Sequence, residues 1–180
     1  MTRPSTAWVI VGVALVALAA GLTVALRHFS AGGSGASAEA FFVQTFPDLD
    51  GRPDAMSRWK GGLVVVNFWA TWCPPCVEEM PDLQRVHDDY LGRGVTVVGL
   101  GIDAPSALRR FREQHGLTMP LYAAGAAGSD VGRALGNGSG ALPYTVLIDR
   151  DGRIVHARLG QIRPAELRDW LNAQLGKRSS

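Results

Sequence analysis

Two apolar runs stand out along the chain and predict the central strands of a sheet. Residues 63–68 and 95–100 are rich in valine and almost free of polar side chains. Runs of this length and composition are typical of strands that are covered on both faces. Looser alternation over 41–46 predicts an earlier strand, and the Asp50–Gly51 pair predicts the turn of a hairpin.

Helical spacing of apolar positions predicts three amphipathic helices. The first begins at Pro74, the second covers 105–116 and the third covers 164–175. Each begins at a proline, which suits a first helical turn because the N–H groups there have no intrahelical partner. Pro81 lies inside the first helix and predicts a kink.

The remaining pattern completes a mixed α/β arrangement. Residues 123–140 are rich in glycine and alanine, so we expect only a short helix near 131–135. Two apolar segments, 144–148 and 153–158, flank an Asp-Arg-Asp-Gly turn and predict a hairpin. The order strand, helix, strand, helix, hairpin, helix predicts a mixed sheet with helices on both faces.

The N-terminal segment predicts a membrane anchor. Residues 8–26 contain no charged side chain and are long enough to cross a bilayer as one helix. We favour an uncleaved anchor over a cleaved export signal, because the small residues at 36–38 lie far beyond the apolar run. We therefore expect a cytoplasmic stub and anchor at 1–29, a flexible linker at 30–40 and a folded domain at 41–176. The expected location is the inner membrane, single-pass, with the domain on the periplasmic or extracytoplasmic side.

The charge balance gives no reason to expect nucleic acid as a partner. The chain has 18 Lys and Arg against 16 Asp and Glu, and Arg3 and Arg27 precede every acidic residue. The domain that follows is therefore neutral, without the basic surface that nucleic-acid binding needs. The four histidines have no paired spacing, so we expect neither a metal site nor a cofactor.

The candidate chemistry lies in the only two cysteines, Cys73 and Cys76, between the first long strand and the first long helix. Backbone N–H groups and the helix dipole at such a junction stabilise a thiolate on the first cysteine. The second thiol can then attack a mixed disulfide and release the product. A purely structural disulfide is disfavoured, because so short a loop removes little chain entropy.

Four sequence segments carry a resemblance to a known family. The chain resembles the TlpA/ResA group of membrane-anchored, thioredoxin-like thiol–disulfide oxidoreductases, many of which serve cytochrome c maturation. The resemblance covers about residues 41–175. The segments that carry it are Val66 to Cys76 (VNFWATWCPPC), Glu79-Met80-Pro81, Leu142-Pro143-Tyr144-Thr145 and Ile148 to Gly152 (IDRDG).

The resemblance implies roles for individual residues. Cys73 corresponds to an exposed nucleophile and Cys76 to a buried resolving thiol. Pro143 corresponds to a cis-proline that places the Leu142 backbone beside the disulfide, ready to pair with an extended substrate. Trp72 and Leu142 lie on the surface that we expect to contact client proteins.

Two further positions bear on proton transfer. Thioredoxin itself has a buried aspartate six residues before its first cysteine, and here that position is Asn67, which cannot take a proton. The resemblance implies that Glu79, one turn beyond Cys76, assists instead. The other interpretation of Glu79 is a solvated acid in the first helical turn. Glu78 points elsewhere and is expected on the surface.

We expect a reductant of protein disulfides that is itself re-reduced by a membrane-embedded dithiol donor. Pro75 lacks one N–H near the Cys73 sulfur, and Glu78 and Glu79 add negative charge to the first turn. Both effects disfavour the thiolate and therefore favour a reducing couple.

Two alternatives remain open. One is a peroxiredoxin-like peroxide reductase, which needs a threonine three residues before the reactive cysteine. Here that position is Ala70, and Thr71 lies only two residues before Cys73. The other is a thioredoxin-fold binding or chaperone module, which the intact Cys-x-x-Cys pair and Pro143 disfavour.

Overall fold

The computed structural model describes residues 36–176. The predicted membrane span at residues 8–26 lies outside them. Within the described part of the chain, no helix combines the length and apolar character needed to cross a bilayer. Residues 36–40, assigned to the linker by sequence, contact the domain through their backbone: the Ala38 N–H donates to the Gly152 carbonyl at 2.9 Å.

The described chain folds into five α-helices and seven strands, with one turn of 3₁₀ helix at Met56–Trp59. The helices are α1 (Glu39–Phe42), α2 (Pro74–Tyr90), α3 (Pro105–His115), α4 (Gly125–Ala134) and α5 (Pro164–Leu175). The strands are β1 (Thr45–Pro47), β2 (Pro53–Ala55), β3 (Leu63–Trp69), β4 (Val95–Gly101), β5 (Leu121–Ala123), β6 (Tyr144–Ile148) and β7 (Ile154–Leu159).

Five strands form the main sheet in the order β5-β4-β3-β6-β7, so β3 is central, as its apolar run predicts. It pairs in parallel with β4 and antiparallel with β6. This register puts Asn67 between Gly99 on one side and Thr145 on the other. Strands β1 and β2 form a separate antiparallel hairpin.

Alternation along β3 distributes its side chains between two apolar cores. Val65 and Trp69 face the cluster that contains both cysteines and the buried sides of α2, α3 and α5. Val64 and Phe68 face the other cluster, which α1 and α4 cover. Helices therefore lie on both faces of the mixed sheet, as predicted. Because side chains alternate along a strand, Asn67 points to the face that α2 covers.

Two local predictions were wrong in part. The strand expected over 41–46 is confirmed only at its end, as β1, whereas Phe41 and Phe42 belong to α1, because one helical turn directs both adjacent rings into the same apolar cluster. In the glycine-rich stretch, a full helix occupies Gly125–Ala134, and the strand Leu121–Ala123 precedes it. Pro81 does lie inside α2, whereas the kink expected there stays a prediction.

Candidate active site

The cysteine pair lies where the central strand turns into helix α2. Cys73 is the extended residue before the helix, and its N–H donates to the Ala70 carbonyl at 3.2 Å. Pro74 and Pro75 form the first helical turn. The loop of residues 70–73 is thus a tight turn that presents the first cysteine at the N-terminus of the helix.

The two cysteines are joined as a disulfide in this structure. The sulfur atoms lie 2.01 Å apart, and the Cα atoms are separated by 5.2 Å. Cys76 is fully buried, as expected for a resolving thiol, whereas Cys73 is 4% exposed. The expectation of an exposed Cys73 therefore needs correction: only a narrow part of its surface reaches solvent, because Cys73 packs into the apolar cluster beside Cys76.

The segment before β6 also reaches the disulfide region. The peptide bond between Leu142 and Pro143 is cis, as predicted. Leu142 is partly buried and packs against the apolar cluster that contains both cysteines. Trp72 is 65% exposed, directly before the disulfide. Leu142 and the two cysteines thus belong to the same apolar cluster, and the indole of Trp72 is open to solvent.

Glu79 lies at the centre of a buried polar network. Its Oε1 accepts a hydrogen bond from Asn67 Nδ2 at 2.7 Å, and its Oε2 accepts one from the Ile162 N–H at 2.9 Å. Asn67 Nδ2 also donates to the Thr145 hydroxyl at 2.9 Å. Asn67, Glu79 and Thr145 are all fully buried. The interpretation of Glu79 as a solvated first-turn acid is therefore wrong.

This burial changes the acidity of the carboxyl group. Loss of solvation raises the pKa of Glu79 from 4.5 to about 7, while the hydrogen bonds from Ile162 and Asn67 oppose the rise. A group with this pKa can hold or release a proton near neutral pH. Glu78, by contrast, is exposed, as expected. The expectation that Glu78 and Glu79 charge the first turn of α2 is wrong, because the helix begins at Pro74 and both residues lie beyond that turn.

Sequence reasoning missed two members of the network. Thr145 belongs to a segment that carries the family resemblance, and its position two residues after Pro143 was the available signal. Ile162 contributes only its backbone N–H, 83 residues from Glu79 in sequence, so no side-chain pattern could indicate it. Among residues 36–176, no group of three or more His, Cys, Asp or Glu side chains is arranged to hold a metal ion.

A redox-active cysteine pair at a strand–helix junction, a cis-proline and a mixed sheet define a thioredoxin-fold thiol–disulfide oxidoreductase. The family model that matches is Redoxin, over residues 34–173. The chain belongs to the Redoxin family, and its activity is thiol–disulfide exchange with cysteine-containing substrates.

Named relatives agree with this assignment. The thiol-disulfide oxidoreductase ResA of Bacillus anthracis is 35% identical over 133 residues, which cover 72% of each chain. ResA of Halalkalibacterium halodurans is 29% identical over 150 residues, or 82% of each chain. A solved thiol:disulfide interchange protein of the thioredoxin family from Chlorobium tepidum superimposes with a TM-score of 0.64 at 29% identity, covering 74% of this chain and 93% of that one.

Proposed function

We propose that this protein is an extracytoplasmic reductant of protein disulfides in which Cys73 attacks and Cys76 resolves. The observation that carries the proposal is the difference in exposure between the two cysteines. Cys73 keeps a small exposed surface at the start of α2, whereas Cys76 is fully buried. A substrate sulfur can therefore approach Cys73 and not Cys76.

The exchange proceeds in two balanced steps. The Cys73 thiolate attacks one sulfur of a substrate disulfide, forms a mixed disulfide and displaces the other substrate sulfur as a thiolate, which takes up a proton. Cys76 then loses its proton and attacks the Cys73 sulfur, releasing the second substrate thiol. Two electrons pass from the cysteine pair to the substrate, and the Cys73–Cys76 disulfide forms.

Glu79 is proposed to accept the proton that Cys76 releases in the second step. It lies one helical turn beyond Cys76, and its pKa of about 7 allows both protonation states near neutral pH. Asn67 and the Ile162 N–H hold its two oxygens in place. Glu79 is thus suited to take a proton from a buried thiol that has no contact with water.

Substrate contact is proposed for Trp72, Leu142 and Pro143. The exposed indole of Trp72 offers an apolar surface directly beside the disulfide. The Leu142 backbone is proposed to pair with an extended client segment that carries the disulfide. Such pairing provides affinity through main-chain hydrogen bonds and depends little on the client's sequence.

The proposed direction is reduction. Pro75 has no N–H to offer the Cys73 sulfur, and the exposed carboxylate of Glu78 lies just beyond the first turn of α2. Both weaken the stabilisation of the thiolate, so the dithiol is a good electron donor. We propose a potential nearer to about −270 mV than to about −120 mV.

The proposed setting is the outer side of the inner membrane, with the domain at 41–176 attached through residues 8–26. Electrons are proposed to come from a membrane-embedded dithiol donor, since no soluble thiol pool maintains reduced cysteines there. The proposed clients are proteins whose cysteines must be reduced before metal or haem attachment, such as apocytochrome c.

Trapping tests the roles of the two cysteines. Cys76→Ser is expected to accumulate mixed disulfides with a substrate protein, and Cys73→Ser is expected to form none. Equal trapping by both variants would contradict the assignment. A potential above about −150 mV against glutathione would reverse the proposed direction. Peroxide consumption by the purified protein at a rate comparable to disulfide exchange would favour the peroxidase alternative.

A further inference from the structure

The loop before Cys73 is attached to the end of the neighbouring strand β4. The Ile102 N–H donates to the Trp69 carbonyl at 2.8 Å, which continues the pairing of β4 with β3. One residue later, Asp103 Oδ2 accepts the Thr71 N–H at 3.3 Å and is also hydrogen-bonded to the Thr71 hydroxyl. A single carboxylate oxygen therefore binds both the backbone N–H and the hydroxyl of Thr71.

The side chain of Asp103 is held in place by a further hydrogen bond to its own loop. It lies between β4 and α3, it is half-buried, and its Oδ1 accepts the Ala104 N–H at 2.6 Å. Both carboxylate oxygens are thus engaged. Thr71 lies inside the turn that the hydrogen bond from the Cys73 N–H to the Ala70 carbonyl closes. A contact that fixes Thr71 therefore fixes the turn that presents Cys73.

We propose that Asp103 is a positioning residue for Cys73 that also sets the redox equilibrium of the cysteine pair. The proposal rests on Cys73 being the attacking sulfur. Asp103 acts through Thr71: its carboxylate holds the turn of residues 70–73 in the conformation that leaves a small part of Cys73 exposed. It also engages the Thr71 hydroxyl, which would otherwise be a hydrogen-bond donor two residues from the thiolate.

The charge of Asp103 acts in the same direction as the missing N–H of Pro75. Asp103 is bonded to Thr71, two residues before Cys73, and a carboxylate in the neighbourhood of a thiol disfavours the thiolate, because like charges repel. Destabilising the thiolate destabilises the dithiol form and makes the couple more reducing. The end of β4 thus contributes to the reducing character that we propose for the protein.

Asp103→Asn tests the charge while keeping the shape of the side chain and one acceptor oxygen. We expect its equilibrium with glutathione to shift about threefold towards the dithiol, which corresponds to a potential higher by about 14 mV. The alkylation rate of Cys73 is expected to reach its half-maximum at lower pH. Asp103→Glu keeps the negative charge, so its redox equilibrium and the pH dependence of Cys73 alkylation are expected to lie closer to those of the wild type than in Asp103→Asn.

Asp151→Asn is the matched control. Asp151 is an exposed aspartate in the turn between β6 and β7, at the opposite end of β6 from Pro143. Its replacement removes the same charge and is expected to leave the equilibrium unchanged. An equal shift in both variants would overturn the proposal, since net charge alone would explain it. An unchanged equilibrium in Asp103→Asn would overturn it as well.

Thr71→Val tests the positioning role without altering the carboxylate, and it serves if Asp103→Asn does not fold. We expect mixed-disulfide formation by Cys73 to slow several-fold while Thr71→Ser retains the wild-type rate. Equal rates in all three proteins would refute the positioning role. These readouts are independent of the client, so failure of the proposed reductant function appears separately, as a wild-type potential above about −150 mV.

Discussion

Replacement of Glu79 by glutamine should remove a specific pH dependence of stability. The side chain keeps its size, and the introduced amide still presents one oxygen to Asn67 Nδ2. The amide cannot accept the Ile162 N–H at the same time, however, so a constant loss of stability is expected at every pH. The informative quantity is the slope of the free energy of unfolding against pH, because that offset does not change it.

The magnitude follows from the pKa of the buried carboxyl. Burial raises the pKa of Glu79 from 4.5 to about 7, so the folded protein holds a proton that the unfolded chain has already released. Below pH 4.5 both states are protonated, and the contribution to stability is complete. Stability falls as the pH rises through this window and levels off above about pH 7. At about 1.36 kcal/mol for each pH unit, the total loss is about 3 kcal/mol.

Urea unfolding of the oxidised protein, followed by tryptophan fluorescence, measures this loss. The difference in unfolding free energy between wild type and Glu79→Gln should fall by about 3 kcal/mol between about pH 4 and about pH 8. Glu78→Gln removes a carboxylate from an exposed position in the same turn and should give a flat difference. A flat difference for Glu79→Gln as well would refute the reasoning that burial governs this carboxyl.

Three further substitutions test packing, a tertiary hydrogen bond and the substrate surface. A Cβ on Gly101 would lie 2.5 Å from the buried Leu108 side chain, so Gly101→Ala should lower the unfolding free energy by about 1 to 3 kcal/mol. A change below about 0.5 kcal/mol would show that the core yields there. Tyr90 Oη donates to Asn172 Oδ1 at 2.9 Å between α2 and α5, and Tyr90→Phe should cost about 1 kcal/mol by urea unfolding. The same cost in an Asn172→Ala background would contradict the pairing. Trp72→Ala should change stability by less than about 0.5 kcal/mol but slow reduction of a protein disulfide and not of glutathione disulfide. Equal slowing of both would place its effect on the sulfur chemistry.

The long strands and helices were predictable because the pattern of apolar residues within each one indicates which of its faces are buried. The valine-rich run of β3 has side chains on both faces, and each face meets a core. The glycine-rich helix α4 was underpredicted for the opposite reason. Glycine is a poor helix former, yet a Cβ on Gly132 would lie 3.5 Å from the Phe68 ring. Close packing on the sheet, which local propensity does not encode, stabilises this helix.

In the candidate site, too, some features follow from local sequence and others depend on tertiary contacts. The cysteine pair and Pro143 were found from local sequence, and so was the place of Glu79 on its helix. The burial of Glu79 was not predicted from local sequence, because its environment includes the backbone of Ile162, which is 83 residues away in sequence. Asp103 carried no pattern of its own, and only the pairing of β4 with β3 places it beside Thr71.

The separation of 83 residues between Glu79 and Ile162 has a consequence during protein synthesis. Translation runs from the N-terminus, so both cysteines leave the ribosome well before Ile162 has been added. Until then one oxygen of the Glu79 carboxyl lacks its hydrogen-bond partner. Burial raises the pKa of this acid, whereas the hydrogen bond from Ile162 lowers it, so the raised pKa is acquired when the domain folds around the carboxyl. A stalled or truncated product that ends before Ile162 carries both cysteines but lacks the backbone N–H that binds one oxygen of Glu79.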